Sequence, residues 1–338
     1  MQKSFITGVA GPVLTDRERA FLATEKPAGL ILFSRNCESA EQISRLTADF
    51  RSSVGSARVL VLVDQEGGRV QRLRPPIARS LPPASAFAHA WVDNPRAAIA
   101  AARAVARLAA EDLRALGIDC NCAPVLDIPV SGAHAIIGDR AYGSTPEPII
   151  ALGRAVAEGL MDGGVLPVMK HIPGHGRATA DSHLELPVVT ATPAELETTD
   201  LVPFRALANL PAAMTAHVVY TGLDPSGPAS TSAHVIGTVI RRNLGFDGLL
   251  MSDDLSMHAL TGSFIERTRA VLTAGSDLAL HCNGDFDEMQ QVASASPELT
   301  GRSLQRFERA MAVISAPLTP FDRGAAEATL ARLLTTFA

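Results

Sequence analysis

Val59-Leu60-Val61-Leu62-Val63 runs directly into Asp64-Gln65-Glu66-Gly67-Gly68. A strand with one wet face would alternate apolar and polar residues. An unbroken apolar run instead suits a parallel strand covered on both faces. Similar short runs recur along the chain. Those at 4–8, 29–33, 58–63, 119–123, 166–170, 212–216, 248–252 and 277–280 make eight candidate strands. On average about 39 residues separate one start from the next, which leaves room for a crossover helix each time.

The intervening segments carry helix punctuation. Asn94-Pro95 reads as an N-cap followed by proline at the first helical position, with Gly117 as the stop. Thr145-Pro146 and Gly163-Gly164 bracket a second helix in the same way. A third is predicted over 232–245, with Ile236, Val239, Ile240 and Leu244 on one face. Strand–helix alternation without a linker predicts an α/β fold, a single (β/α)8 TIM barrel over 1–296. Residues 297–338 read as a short C-terminal helical extension packed on the barrel. An open doubly wound sheet is the alternative, but no G-x-G-x-x-G turn follows the first strand.

Composition narrows the function classes. The chain has 338 residues, 47% of them hydrophobic and 19% charged, so a large core is expected and disorder is not. A net charge of −5 and 4% aromatics leave neither the basic footprint nor the stacking platform of a nucleic-acid binder. No apolar run reaches the roughly 18 residues of a membrane helix. The N-terminal apolar stretch is broken at Pro12 and is badly flanked for a signal peptide. Cys37, Cys120, Cys122 and Cys282 are accordingly read as reduced thiols, and Cys120-x-Cys122 is too short for the usual zinc spacing. A cytoplasmic monomer is expected.

In a barrel of this kind chemistry gathers where strands end at their C-terminal side. Those positions carry Asp64, Lys170-His171, His217, Asp253-Asp254 and His281-Cys282-Asn283, and the loop after the fourth strand carries Gly138-Asp139-Arg140. Asp64 and Asp253 each have an alternative as helix N-caps, and His217 as a core histidine. Arg69 and Arg72 are read either as site residues or as solvated ones. Asp127, followed by Pro129, is read as a turn residue. Adjacent residues leaving a strand point to opposite sides, so one of Asp253 and Asp254 faces the site, and Asp254 is assigned the structural part. Lys170 resists a structural reading, because a lysine ending a buried strand needs a partner or a ligand.

The stretch His171-Ile-Pro-Gly-His175-Gly-Arg-Ala-Thr-Ala-Asp181-Ser-His183 is dense in imidazoles. Gly174 and Gly176 permit unusual backbone angles and movement. In a tight turn Asp181 would meet His183, fix its tautomer and raise its basicity. Two mechanisms use these groups. In one, Asp253 is a nucleophile and His183 an acid/base; in the other, His171, His175 and His183 with Asp253 hold a metal that activates water. The histidine spacings fall on a glycine-rich loop, not on one helix face, which disfavours the metal-dependent hydrolase.

LVDQEGGRVQRL, IIGDRAYG, KHIPGHGRATADSH, MTAHVVY and LMSDDLSM stand in the order typical of glycoside hydrolase family 3, and the chain resembles its single-domain bacterial β-N-acetylhexosaminidases of peptidoglycan recycling. The resemblance spans roughly residues 4 to 290; Ile172 stands where phenylalanine is commoner. It implies that Asp253 is the catalytic nucleophile, His183 the acid/base and Asp181 its partner. It implies further that Asp64, Arg72, Arg140, Lys170 and His171 hold a terminal N-acetylglucosamine. The implied substrates are muropeptides or chitooligosaccharides containing N-acetylglucosamine, cleaved with retention and without a metal or organic cofactor.

Overall fold

A computed structural model describes every residue except Ala133, Thr179, Asp181, His183, Leu184, Phe337 and Ala338. Eight strands form the barrel: β1 Lys3–Thr7, β2 Pro27–Leu32, β3 Leu60–Val63, β4 Cys120–Asn121, β5 Leu166–Ile172, β6 Ala212–Thr215, β7 Leu249–Asp254 and β8 Leu278–His281. They close in sequence order, β8 pairing back onto β1, and every pairing is parallel. Each run foreseen in the sequence is a barrel strand. β4 is the shortest departure. Beyond Asn121 the β3 side adds one bond, Cys122 N–H to Val63 O at 2.9 Å, before Pro124, which has no donor to offer, while on the β5 side Val168 N–H bonds to Ala123 O at 2.9 Å and Leu126 N–H to Lys170 O at 2.7 Å.

The near-continuous apolar runs are explained by two cores on opposite faces of the same strands. Ile6, Leu60, Leu62, Leu166, Val168, Met251 and Leu280 point into the barrel, as do Cys120 and Cys122, which are buried thiols. Val61, Val63, Met169, Ala213 and Leu250 point outward into a larger cluster shared with the surrounding helices. A strand apolar on both faces reads as a run, which is why periodicity alone could mark it.

The helix punctuation holds with one exception. Asn94 caps Pro95–Ala115, its side chain accepting from Ala97 N–H at 3.1 Å. The second helix is Pro146–Asp162, although Thr145 makes no side-chain cap bond. Over 232–245 the α-helix expected there is instead a π-helix, Val235–Asn243, with Leu244 N–H bonded to Val239 O. The predicted face is buried through Ile236, Val239 and Ile240. Spacing of apolar residues reports which side meets the core; it does not report whether the hydrogen bond closes on the fourth or the fifth residue back.

The helix Gly301–Ile314 closes the N-terminal end of the barrel. Phe307, Ala310 and Met311 enter the interior cluster, and Leu299 N–H bonds to Gln2 O at 2.8 Å. A second C-terminal helix, Arg323–Thr336, lies along Pro95–Ala115. No described helix is long and apolar enough to cross a membrane.

Candidate active site

Strand alternation decides which polar residues meet. Leu60 and Leu62 point into the barrel, and the next inward position is Asp64. Leu166 and Val168 point inward, and the next is Lys170; Leu249 and Met251 lead likewise to Asp253. All three therefore stand above the apolar layers, where β3, β5 and β7 open at one rim. A cavity of about 450 Å³ lies there, bordered by Asp64, Glu66, Arg72, Arg140, Lys170, His171 and Asp253.

Lys170 organises the floor. Its Nζ sits 2.9 Å from Asp64 Oδ1 and 2.7 Å from Glu66 Oε1, and the residue is only 2% exposed. Arg72 Nη2 reaches Asp64 Oδ2 at 3.1 Å. Arg140 grips Glu66 in a two-pronged pair, both contacts at 2.8 Å. Burial works against ionising Asp64, but the Lys170 ammonium and the Arg72 guanidinium outweigh it and hold the carboxyl far below its usual range. Glu66, equally buried, is drawn down to about 2 by Lys170 and Arg140. For Lys170 burial is opposed by the same two carboxylates, which push its pKa upward and keep it charged. The result is a fixed, nearly dry array of alternating charge.

Beside it lies a second buried group. Asp127 Oδ2 holds His171 Nδ1 at 2.6 Å, and Oδ1 accepts the backbone N–H of His171 at 3.2 Å and of His175 at 2.7 Å. Burial is overcome by the neighbouring His171, so the Asp127 carboxyl falls to about 2. Asp127 is therefore no turn residue: it is completely buried and fixes both histidines. Asp127→Asn should lower kcat/KM about 10- to 100-fold by letting His171 shift at the cavity wall. Steady-state kinetics beside a thermal melt would check this, and an unchanged kcat/KM would refute the positioning role.

The glycines of the loop answer to packing. Gly174 sits at φ +133°, and its carbonyl accepts from Tyr220 Oη at 2.5 Å. A Cβ on Gly176 would lie 1.8 Å from Ile128 O, so only glycine admits this backbone approach. Buried His175 donates to or accepts from Ser182 Oγ at 3.1 Å through Nε2. Burial, then the charge of His171, lowers the His175 pKa to about 4.

That value has a consequence for stability. Between about pH 4 and the ordinary imidazole value near 6.5, the unfolded chain binds a proton that native His175 does not, so stability falls with acidification through this window. Asp64, Glu66 and Asp127 act in the same sense at lower pH, because their stabilising charges are lost only as pH falls toward their depressed values. His175→Gln should flatten the decline in melting temperature between pH 6.5 and 4, leaving the steeper acid loss below it. A decline as steep as that of the unmodified chain would contradict the assignment.

The remaining polar residues near the rim have partners of their own. Asp254 also borders the cavity, but its Oδ1 accepts from Ser256 N–H at 3.0 Å and Cys282 N–H at 3.1 Å, a structural part, while Asp253 Oδ1 accepts from Asp254 N–H at 2.9 Å. His217 is fully buried, bonded to Ser230 Oγ at 2.6 Å and to Asp254 O at 3.1 Å. Arg69 borders the cavity and pairs with Asp139 at 2.8 Å. Asp181 and His183 lie outside the described residues. Among the described residues, no three His, Cys, Asp or Glu side chains are grouped to share a metal ion. The sequence alone does not single out Glu66, which follows β3, where no strand periodicity predicts the direction of its side chain.

Comparison with known proteins agrees with this architecture. The profile of the glycosyl hydrolase family 3 N-terminal domain matches residues 8–314. A beta-hexosaminidase of Alkalilimnicola ehrlichii is 44% identical over 280 residues, covering 82% of this chain and 79% of that protein. NagZ of Neisseria gonorrhoeae superposes with a TM-score of 0.88 at 34% identity, over 98% of both chains. A second structure of that NagZ, in complex with N-trifluoroacetyl-D-glucosamine, matches equally well. With a closed barrel, a charged rim pocket, a family profile matched over residues 8–314 and relatives covered over 79% to 98% of their lengths, the chain belongs to glycosyl hydrolase family 3.

Proposed function

We propose that this protein is a retaining β-N-acetylglucosaminidase, and that one observation carries the reading: Asp253 opens into the same cavity as the Asp64–Lys170–Glu66 array. The enzyme is a β-N-acetylhexosaminidase that removes a non-reducing terminal, β-linked N-acetylglucosamine. A carboxylate at the end of a rigid strand reaches the anomeric carbon, and fixed charged donors and acceptors hold the hydroxyls around it. A sugar that fails to pair those groups would forfeit about 1–3 kcal/mol for each one left unsatisfied. The relative named beta-hexosaminidase and the NagZ complex with an N-acylated glucosamine support this choice of sugar.

The reaction has two displacements. Asp253 forms a bond to the anomeric carbon as the bond to the leaving oxygen breaks, and the proton for that oxygen comes from His183, oriented by Asp181. Water then attacks the glycosyl-aspartate, its proton passes to His183, and the carboxylate of Asp253 is released. Asp64, Arg72, Arg140, Lys170 and His171 bind the sugar and need no metal or organic cofactor.

The natural substrate is a muropeptide fragment, N-acetylglucosamine linked to 1,6-anhydro-N-acetylmuramic acid, processed by a monomer in the cytoplasm during peptidoglycan recycling. Chitooligosaccharides are the alternative aglycones. The family likeness supports this assignment, and so do four free cysteines with no disulfide among the described residues.

His183→Ala tests the chemistry. With an unactivated disaccharide, turnover should fall roughly 10²- to 10⁴-fold, the usual contribution of a general acid. With a 2,4-dinitrophenyl glycoside, whose oxygen departs without protonation, glycosylation should be much less affected. Equal losses on both substrates would exclude His183 as the acid. Relative kcat/KM for anhydromuropeptide and chitobiose separates the two aglycone classes.

A further inference from the structure

A second cavity, of about 930 Å³, lies outside the barrel between Pro95–Ala115, the turn at 319–322 and Arg323–Thr336. Its floor is a row of methyl groups from Ala97, Ala101 and Ala104, one face of the first helix, and Leu333 and Phe321 border it from the opposite side. At one end stands Arg107, a residue only 9% exposed whose guanidinium carbon lies 4.3 Å from the Phe321 ring centroid. Among the described residues Arg107 makes no hydrogen bond or ion pair, and its buried Nε has no partner.

The surrounding charges do not relieve it. Arg103 is engaged by Glu158 at 3.0 Å and Asp162 at 2.8 Å, and Asp162 also accepts from Thr319 Oγ1 at 3.1 Å. Glu111, the other carboxylate acting on Arg107, is held by Arg79 at 3.3 Å and Arg323 at 3.4 Å. Of the guanidinium only Nε is enclosed without a partner; Nη1 and Nη2, which carry no protein acceptor, open to the groove, where an anion in the cavity can reach them.

We infer that this groove binds an amphipathic carboxylate, a medium-chain acyl anion whose head pairs with Arg107 and whose chain lies along the alanine floor. From Ala97 to Arg107 the helix rises about 15 Å, which suits an extended chain and exceeds what a small inorganic anion would fill. The two ends divide the recognition: the guanidinium sets the charge of the ligand and the methyl row sets its length.

Calorimetric titration with octanoate, and separately with 1-octanol, tests this site on the full chain. Octanoate should bind saturably, one per chain, at least tenfold more tightly than octanol. Arg107→Met should lose at least tenfold for octanoate and nothing for octanol. Ala101→Phe, which fills the floor and leaves the guanidinium in place, should weaken both ligands. Both variants should retain hydrolase turnover, because neither residue borders the rim cavity. If Arg107→Met fails to fold, the octanol comparison and Ala101→Phe still decide. No saturable octanoate binding, equal affinity for octanoate and octanol, or binding indifferent to Ala101→Phe would overturn the proposal.

Discussion

Asp253→Ala is expected to cut turnover of 4-nitrophenyl N-acetyl-β-D-glucosaminide by about 10⁴-fold or more, with KM moving far less. Leu249 and Met251 fill the barrel interior, and Asp253 is the next residue on that face, so its carboxylate stands where the apolar column ends and the cavity begins. On the proposed mechanism, removing it takes away the atom that would bond to the anomeric carbon, while Lys170, Asp64, Arg72 and Arg140 would still hold the sugar. A loss concentrated in kcat is the signature of an interaction made along the reaction path; a loss concentrated in KM would make Asp253 a binding group. The neighbouring carboxylate provides the control. Asp254 serves two backbone N–H groups, so its removal should act chiefly on stability.

Lys170→Met should damage both stability and catalysis. Methionine matches the apolar stem in length but leaves Asp64 and Glu66 without the ammonium they share. Withdrawing one partner from a buried ionic group typically costs about 3–5 kcal/mol, because the remaining charge stays buried. Arg72 and Arg140 remain on the outer oxygens, so the fold should survive at reduced melting temperature. Both carboxylates should then titrate at higher pH, and the acid limb of the stability profile should move upward with them. The floor of the sugar pocket would lose its central donor, and kcat/KM should fall by about 10²- to 10³-fold, in line with removal of a preorganised electrostatic group. Calorimetric melts across pH, paired with kinetics, would check both effects. An unchanged melting temperature would mean that Lys170 does not carry the network.

Much of this arrangement could be read from the sequence for a definite physical reason. Parallel strands packed on both faces become apolar runs, so residues such as Val59–Val63 announce a barrel without any alignment. Residues that interrupt such runs at one end, Asp64, Lys170 and Asp253 among them, must project toward the rim; alternation alone would turn Asp254 away, yet it too borders the cavity while its carboxylate serves backbone N–H groups. Glu66 was not legible because it follows the strand, where no periodicity predicts direction. Asp127 was disguised by its proline-rich surroundings, which match an ordinary turn until the buried bonds to His171 and His175 are seen. The π-helix at Val235–Asn243 escaped because its buried face repeats much as an α-helix would.

Covalent attachment of the sugar to Asp253 can be measured directly. A 5-fluoro-N-acetylglucosaminyl donor with an activated leaving group slows both displacements through its electron-withdrawing fluorine, but the good leaving group lets the first proceed. Digestion and peptide mass spectrometry should then find one fluorosugar per chain, on the peptide carrying Ser252-Asp253-Asp254, with fragment ions locating it on Asp253. Turnover without any protein adduct, as expected if the acetamido oxygen of the substrate were the nucleophile, or a label on any other residue, would rule out Asp253 as the nucleophile.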